Sequence, residues 1–170
     1  MSRLAVLAAA IVVAVPVYAA PATAHADLTD AKGAKVGNAV LSESDSGVHV
    51  AIKVQGLAPG KHGLHVHAAG KCDAPEFMTS GSHFNPGGKK HGLKSAAGAH
   101  LGDLPNLEVG ADGKGEGHFM LKGVTLGEGS DGLFGPAGSA VVIHEKVDDE
   151  TSDPGGNSGA RIACGVIRRG

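Results

Sequence analysis

Histidines are concentrated in the middle of this chain, and their spacing predicts metal binding. The 170-residue sequence contains ten histidines, six of them between positions 61 and 101. His65 and His67 are two residues apart, so on a strand both rings leave the same face, with Cα atoms about 6 to 7 Å apart. Two imidazoles at this spacing can bind the same ion.

A second group of ligand-type residues lies in the polar segment that follows. It comprises, in order, His83, His91, His100 and Asp103. Three imidazole nitrogens and one carboxylate oxygen form the closed tetrahedral set that a zinc ion prefers. Much later in the chain, His144 ends an apolar run and can complete a nitrogen-rich site with His65 and His67, a donor set that suits copper.

The other histidines have no such grouping in the sequence. His25, His49 and His118 lie in predicted strands without an evident partner, and we expect none of them to bind metal. His62 is expected to form structural hydrogen bonds.

Short alternating segments separated by glycine and proline predict the strands that position these residues. The segments are 22–28, 35–41, 48–55, 61–67, 117–122, 139–144 and 161–167. In the clearest, Val48, Val50 and Ile52 face one way and His49 and Ala51 the other, which is typical of a sheet with one buried face. Two long polar segments, 68 to about 106 and 148–160, predict functional loops.

Five sequence blocks connect these residues to a known family. They are HGLHVH at 62–67, GSHFNP at 81–86 with KKHG at 89–92, HLGDL at 100–104, VIHEK at 142–146 with DD at 148–149, and GARIACGVI at 159–167. In this order and spacing the blocks resemble the copper/zinc superoxide dismutases, and the resemblance covers residues 22–167. It implies an all-β fold, an eight-stranded Greek-key β-barrel of immunoglobulin-like sandwich architecture with two long functional loops.

The resemblance also implies two metal sites that share one ligand. Copper would be bound by His65, His67, His83 and His144, and zinc by His83, His91, His100 and Asp103. His83 would bridge the two ions, and the Asp148 carboxylate would orient the rings of His65 and His91.

The activity implied is an oxidoreductase reaction, the dismutation of superoxide to hydrogen peroxide and dioxygen by alternate reduction and oxidation of copper. His83 would supply a proton, and Arg161, assisted by Lys146, would attract the anion. The loop from 149 to 160 is shorter than in eukaryotic relatives, so this attraction is expected to be weaker. The chain ends in Arg168, Arg169 and Gly170 rather than an apolar dimer-forming tail, which favours a monomer or a bacterial-type homodimer.

The N-terminal residues predict export. Arg3 precedes an apolar stretch over 4–17, typical of a secretory signal peptide, and we expect residues 1–19 to be removed and residues 20–170 to form one domain. Cleavage after Ala26 is the alternative, but it would cut the strand predicted over 22–28. The exported chain would be free of the membrane, in the periplasm or outside the cell. In that oxidising compartment Cys72 and Cys164, the two cysteines of the sequence, are expected to form a disulfide.

Charge and ligand content exclude or weaken other functions. The mature chain would carry 14 basic and 17 acidic residues, which argues against a nucleic-acid partner. A copper-binding or copper-delivery protein on the same barrel could dispense with Arg161, which is present. A zinc-stapled adhesion domain would leave His65, His67 and His144 without a role.

Overall fold

The computed structural model describes residues 22–170, which contain nine β-strands and one 3₁₀ helix. The strands are β1 Thr23–Asp30, β2 Lys35–Ser44, β3 Gly47–Val54, β4 Gly60–His67, β5 Asp103–Val109, β6 Gly115–Lys122, β7 Ala140–His144, β8 Arg161–Val166 and β9 Arg168–Arg169. The 3₁₀ helix is Met78–Ser80. Within this part of the chain no helix has the length and apolar character needed to cross a membrane. The predicted signal peptide, residues 1–19, lies outside the described residues.

The strands close into an antiparallel barrel. Their order is β2-β3-β6-β5-β4-β7-β8-β1-β9, and an additional pairing of β1 with β2 closes the ring. The pairs β3–β6 and β4–β7 join strands that are not consecutive in the chain, as in a Greek key. Because β9 is a two-residue addition to β1, the barrel has eight main strands, and the predicted fold is confirmed.

Alternation along the strands produces the core. Val48, Val50 and Ile52 of β3 are fully buried, and each contributes about 1.5 to 3 kcal/mol through removal of its side chain from water. Ala24 and Ala26 of β1 are also buried, so the alternation predicted over 22–28 is a real strand.

Strand β5 corrects the predicted extent of the first loop, which ends at residue 102 and not near 106. The sequence of β5 contains Pro105, which lacks the N–H that a ladder position requires and so argues against a strand. The structure accommodates Pro105 at an irregularity in the β4–β5 register between His62 and Leu64. There it disrupts no regular pair.

A small second apolar cluster fastens the start of the first loop to the outside of the barrel. Phe77 packs there with Val142 of β7 and Cys164 of β8, and Cys164 forms the predicted disulfide with Cys72. The two Cα atoms are 5.6 Å apart. Phe77 has a left-handed backbone conformation, φ 55°, which a non-glycine residue adopts only when its surroundings hold it. The loop segment 72–81 is therefore firmly attached to β7 and β8.

Candidate metal centre

Four histidines converge outside the barrel wall formed by β4 and β7. His65 and His67 lie on β4, and His144 ends β7, the antiparallel neighbour of β4. His83 comes from the first loop, where it forms an isolated bridge with His67. All four rings are buried, and each offers a ring nitrogen within 4.8 Å of those of the others.

Hydrogen bonds to the far side of two of these rings set which nitrogen faces the cluster. His67 Nδ1 donates to the carbonyl of Gly81 at 2.8 Å, and His144 Nδ1 donates to the carbonyl of Gly159 at 3.2 Å. The Nε2 atoms of His67 and His144 then face each other, 3.5 Å apart, with their lone pairs directed into the cluster. Two nitrogen lone pairs at this distance repel each other, because neither nitrogen carries a proton to donate. A cation bound between them would stabilise both.

His65 gives a direct test of whether the cluster fits a metal. Its Nε2 donates to Asp148 Oδ2 at 2.7 Å, whereas its Nδ1 is the one buried side-chain polar atom in residues 22–170 without a hydrogen-bond partner. An unpaired buried nitrogen costs about 1 to 3 kcal/mol unless something binds it. The four histidines therefore fit a nitrogen-ligated ion such as copper.

The second cluster surrounds one oxygen atom. The Nδ1 atoms of His83, His91 and His100 lie 2.9, 3.1 and 3.2 Å from Asp103 Oδ1. The Nδ1 atoms of His83 and His100 are 3.3 Å apart. A tetrahedral zinc site with bonds of about 2.0 Å has ligand-to-ligand edges of about 3.3 Å, and these four separations are close to that length. Three imidazoles and a carboxylate are also a donor set that suits zinc. The four residues whose ligand atoms all lie within 4.8 Å of one another here are His65, His83, His91 and Asp103, so the predicted ligand His100 lies at the edge of this cluster, in contact with Asp103 and His83. His65 Nε2 is already bound to Asp148.

His83 belongs to both clusters. Its Nδ1 faces Asp103 and the second cluster, which leaves Nε2 as the nitrogen it can offer to the first. Asp103 opens β5 directly opposite His65 in β4, so the register of two adjacent strands holds the clusters side by side.

Asp148 lies between the two clusters and contacts both. It accepts hydrogen bonds from His65 Nε2 at 2.7 Å and from His91 Nε2 at 3.0 Å. Asn106 holds its backbone on both sides, accepting from the Asp148 N–H at 2.7 Å and donating to the Asp148 carbonyl at 2.9 Å. A side chain on Gly156 would overlap Asp148 Oδ1, so this position requires glycine both for space and for its φ of +62°.

Burial and carboxylate contacts shift the protonation equilibria of these groups in opposite directions. Burial lowers the pKa of His65 to about 4, of His67 to about 2 and of His144 to about 3, so these rings are neutral at pH 7. Burial also opposes charge on His91, but hydrogen bonds to Asp103 and Asp148 outweigh it and raise the pKa of His91 to about 9.

The two carboxylates show the matching effect. Burial raises the pKa of each, yet hydrogen bonds from His83 and His91 to Asp103, and from His65 and His91 to Asp148, hold both carboxyl pKa values well below their ordinary range. Both are therefore anionic at pH 7. Two anions beside six buried imidazoles leave a site that is prepared for cations.

His62 is buried behind the first cluster and forms the hydrogen bonds expected of it. Its Nδ1 lies 2.8 Å from the carbonyl oxygen of His144, and its Nε2 lies 2.8 Å from that of Ala58. The ring thus fixes the backbone at the end of β7, where His144 leaves the sheet.

Arg161, the first residue of β8, lines a cavity of about 640 Å³ that opens onto the first cluster. Its guanidinium donates to the carbonyl of Phe77 at 2.8 Å, to Ser80 Oγ at 2.9 Å and to the carbonyl of Gly81 at 2.8 Å. Because a guanidinium has five N–H groups, two remain free of partners within residues 22–170. The disulfide-fastened segment 72–81 therefore holds Arg161 at the cavity wall.

Other charged groups around this cavity differ in part from expectation. The predicted companion of Arg161, Lys146, is not among the lining residues and packs beside Gly159. Two acidic residues line the cavity instead, Glu76 and Asp153. Asp153 pairs with Lys90 at 2.8 Å, whereas Glu76 has no ion-pair partner within residues 22–170.

Three residues of the site had no signal in the sequence. The role of Asn106 could not be recognised because strand β5 was not predicted, and Gly156 could not be distinguished from the other loop glycines. Glu76 lies on a loop whose direction only the disulfide and Phe77 determine. His25, His49 and His118 lie outside both clusters.

Comparison with known proteins agrees with this geometry. Residues 35–167 match a family model described as copper/zinc superoxide dismutase (SODC). The chain is 43% identical over 146 residues to superoxide dismutase [Cu-Zn] 1 of Aquifex aeolicus (strain VF5), covering 85% of this chain and 86% of that protein. It is 42% identical to the superoxide dismutase-like protein YojM of Bacillus subtilis (strain 168), covering 84% of this chain and 74% of that protein.

Solved structures give the same result. A SOD-like protein from Bacillus subtilis superposes with a TM-score of 0.80 at 40% identity, covering 84% of this chain and 96% of that one. A Cu/Zn superoxide dismutase from Brucella abortus superposes with a TM-score of 0.68 at 30% identity, covering 86% of this chain and 99% of that one.

Proposed function

The chain belongs to the copper/zinc superoxide dismutase family, and from that premise we propose that it is an exported enzyme that converts superoxide to hydrogen peroxide and dioxygen. Two superoxide anions and two protons would give one molecule of each product. The observation that supports this most directly is the pair of buried clusters sharing His83, one of them opening onto a cavity lined by Arg161.

We propose that copper is bound by His65, His67, His83 and His144, and zinc by His83, His91, His100 and Asp103. Copper, when bound, supplies the one-electron acceptor and donor that the reaction requires, and zinc supplies a fixed positive charge. The unpartnered Nδ1 of His65 and the facing Nε2 atoms of His67 and His144 support the first assignment. The separations of 2.9, 3.1 and 3.2 Å between Asp103 Oδ1 and the Nδ1 atoms of His83, His91 and His100 support the second.

The protein residues would perform the remaining tasks. His83 Nδ1 is held in the Asp103 cluster, so His83 Nε2 is the atom that can gain a proton and pass it to reduced oxygen in the cavity. Asp148 keeps the His65 and His91 rings in one orientation through both halves of the cycle, because it binds the nitrogen of each ring that faces away from the metal positions. Two tasks, proton transfer and ring orientation, are thereby assigned to separate side chains.

Capture of the anion would depend on Arg161. Superoxide is small and negatively charged, and the mature chain also has a net negative charge, so attraction must be local. The free N–H groups of Arg161 at the cavity wall supply such a local charge, whereas Glu76 opposes it.

The location of the enzyme is also a proposal. We propose that residues 1–19 are a signal peptide, and that the mature protein, a monomer or bacterial-type homodimer, acts in the periplasm or outside the cell. The pairing of residues 23–26 within β1 supports cleavage before this strand, and the Cys72–Cys164 disulfide suits an oxidising compartment. Mass determination of the exported protein tests this: a chain starting at Ala20 is expected, and one starting at Asp27 would contradict it.

Activity measurements on the exported protein loaded with copper and zinc test the reaction itself. We expect high superoxide-dismutating activity, abolished in His144→Ala because one ligand is lost, and unchanged in His25→Ala, which removes an exposed histidine outside both clusters. Arg161→Ala should lower kcat/KM about tenfold or more, with a weaker dependence on salt than the wild type. Arg161→Lys should fall between the two.

The outcome also separates the enzyme from the copper-binding alternative. A wild-type protein that holds copper tightly but does not turn over superoxide would contradict the proposal and indicate a copper-binding protein.

A further inference from the structure

The outer face of β3 and β6 brings together two histidines that are far apart in the chain. In the β3–β6 register His49 is opposite Met120, and Ala51 is opposite His118. The two imidazole rings are therefore diagonal neighbours, with centroids 5.3 Å apart and planes inclined by only 16°. The sequence gives no sign of this contact because the two strands are not consecutive.

The spacing of this pair matches that of the rings in the buried clusters. Within the zinc-type cluster the ring centroids of His83, His91 and His100 are 5.1, 5.3 and 5.4 Å apart. His67 and His144 provide a match in orientation as well, with centroids 5.7 Å apart and planes inclined by 26°. Rings whose nitrogens bind an ion at about 2.0 Å have centroids about 5 Å apart at tetrahedral angles.

The ring nitrogens of both histidines are available. Within residues 22–170 neither ring forms a hydrogen bond, and Glu116 Oε1 lies 3.9 Å from His118 Nε2. The His118 side chain is 62% exposed, so an ion can reach it from solvent. Glu116 also contacts Lys53 at 3.2 Å, a surface pair that a competing cation can displace at little cost.

We propose that His49 and His118 form a third metal site, specific for divalent transition-metal ions and strongest for Cu²⁺. The two imidazoles provide the primary ligands, and the Glu116 carboxylate, 3.9 Å from His118 Nε2, provides a third after a side-chain rotation. Cu²⁺ binds such nitrogen and oxygen donors more tightly than the other divalent ions of its row. The site shares no strand with the buried clusters, so it stands independently of the proposed dismutase activity.

Titration of the fully loaded protein with additional Cu²⁺ tests the proposal. With the buried positions filled, we expect one further equivalent to bind, with loss of amide NMR signals centred on residues 49, 51, 118 and 120. His49→Asn and His118→Asn should each weaken this binding about 100-fold, because a second donor held nearby usually contributes a factor of that size. His25→Asn is the matched control, since it removes an exposed histidine from β1, and it should leave the affinity unchanged.

The measurements can also overturn the site. Absence of a further equivalent would do so, as would signal loss centred elsewhere or equal affinity in the wild type and both variants. Retention of copper and zinc in the variants shows that they remain folded, so weaker binding in them reports on the surface pair alone. Because dismutase activity is not measured in this experiment, the presence or absence of that activity does not affect the conclusion about the surface copper site.

Discussion

Acidification of the metal-free protein should destabilise it by an amount that the buried histidines determine. In the folded state the pKa values of His65, His67 and His144 are about 4, 2 and 3, whereas an unfolded histidine has a pKa of about 6.5. Below pH 6.5 the unfolded chain therefore binds protons that the folded chain does not. Stability that is present above pH 6.5 is lost as the pH falls towards the folded values.

The size of the loss follows from proton linkage. Between pH 7.5 and 5.5 each of the three rings costs about 1.3 kcal/mol of unfolding free energy. His91 acts in the opposite direction, because its pKa is raised to about 9 and the folded state keeps its proton throughout this range. It offsets about one of the three rings, whereas burial also lowers the pKa of His100 and adds to the loss, so the net loss is at least about 2 to 3 kcal/mol. Asp103 and Asp148 have lowered pKa values and add nothing above pH 5.5.

Urea unfolding of chelator-treated protein at pH 7.5 and 5.5 measures this difference. The midpoint should fall by about 1 to 2 M at the lower pH. In His144→Asn the pH-dependent loss should shrink by about 1.3 kcal/mol, because one titrating ring is removed. His118→Asn, which replaces an exposed ring, should show the wild-type loss. A stability that is equal or higher at pH 5.5 would refute the reasoning.

Three further predictions concern the zinc-type cluster, the cavity and the disulfide. Zinc binding to the metal-free protein at pH 7.5 should release close to one proton from His91, because a ligand must be neutral and the pKa of this ring is about 9. Calorimetry in two buffers measures the number of protons released. His91→Asn should abolish this proton release. Glu76→Gln should raise kcat/KM for superoxide about two- to threefold at low salt, because it removes an unpaired negative charge from the cavity. Glu108→Gln, on the exposed side of β5, should leave kcat/KM unchanged. Equal effects of the two substitutions would show that only the net charge of the protein matters. Cys164→Ser should lower the free energy of unfolding by about 2 to 5 kcal/mol, measured by thermal unfolding. It should also reduce activity, because the segment 72–81 that hydrogen-bonds Arg161 is no longer held by the disulfide. Full activity of this variant would contradict the role of the disulfide in positioning Arg161.

The sequence was sufficient for the fold class and for most strands because alternation is a local signal. Val48, Val50 and Ile52 mark β3 without reference to any other segment, and the structure buries all three. Strand β5 was not predicted, because Pro105 is tolerated only at an irregularity in the β4–β5 register, and that irregularity depends on the partner strand β4. Local patterns thus predicted the elements, and pairing between elements decided the exceptions.

The candidate site shows the same division. The ligand-type residues are recognisable by type and spacing, and the structure gathers all of them but His100 into two buried groups, with His100 in contact with Asp103 at the edge of the second. The tautomers of His67 and His144 could not be predicted, since they depend on the carbonyl groups of Gly81 and Gly159. The pairing of His49 with His118 arises only when β3 meets β6.

The position of β9 has a consequence for how an exported chain reaches its final shape. Arg168 and Arg169 pair with His25 and Ala24 at the start of β1, and the N–H of Gly170 donates to the carbonyl of Thr23. The two ends of the described chain are thus joined, and β8 must be present before β1 gains its second neighbour. In a chain exported from its N-terminus, as proposed above, this ring cannot close until residues 168–169 have crossed the membrane. The polypeptide would thereby remain unfolded during translocation. Barrel closure, disulfide formation and metal binding would all follow after it has crossed the membrane.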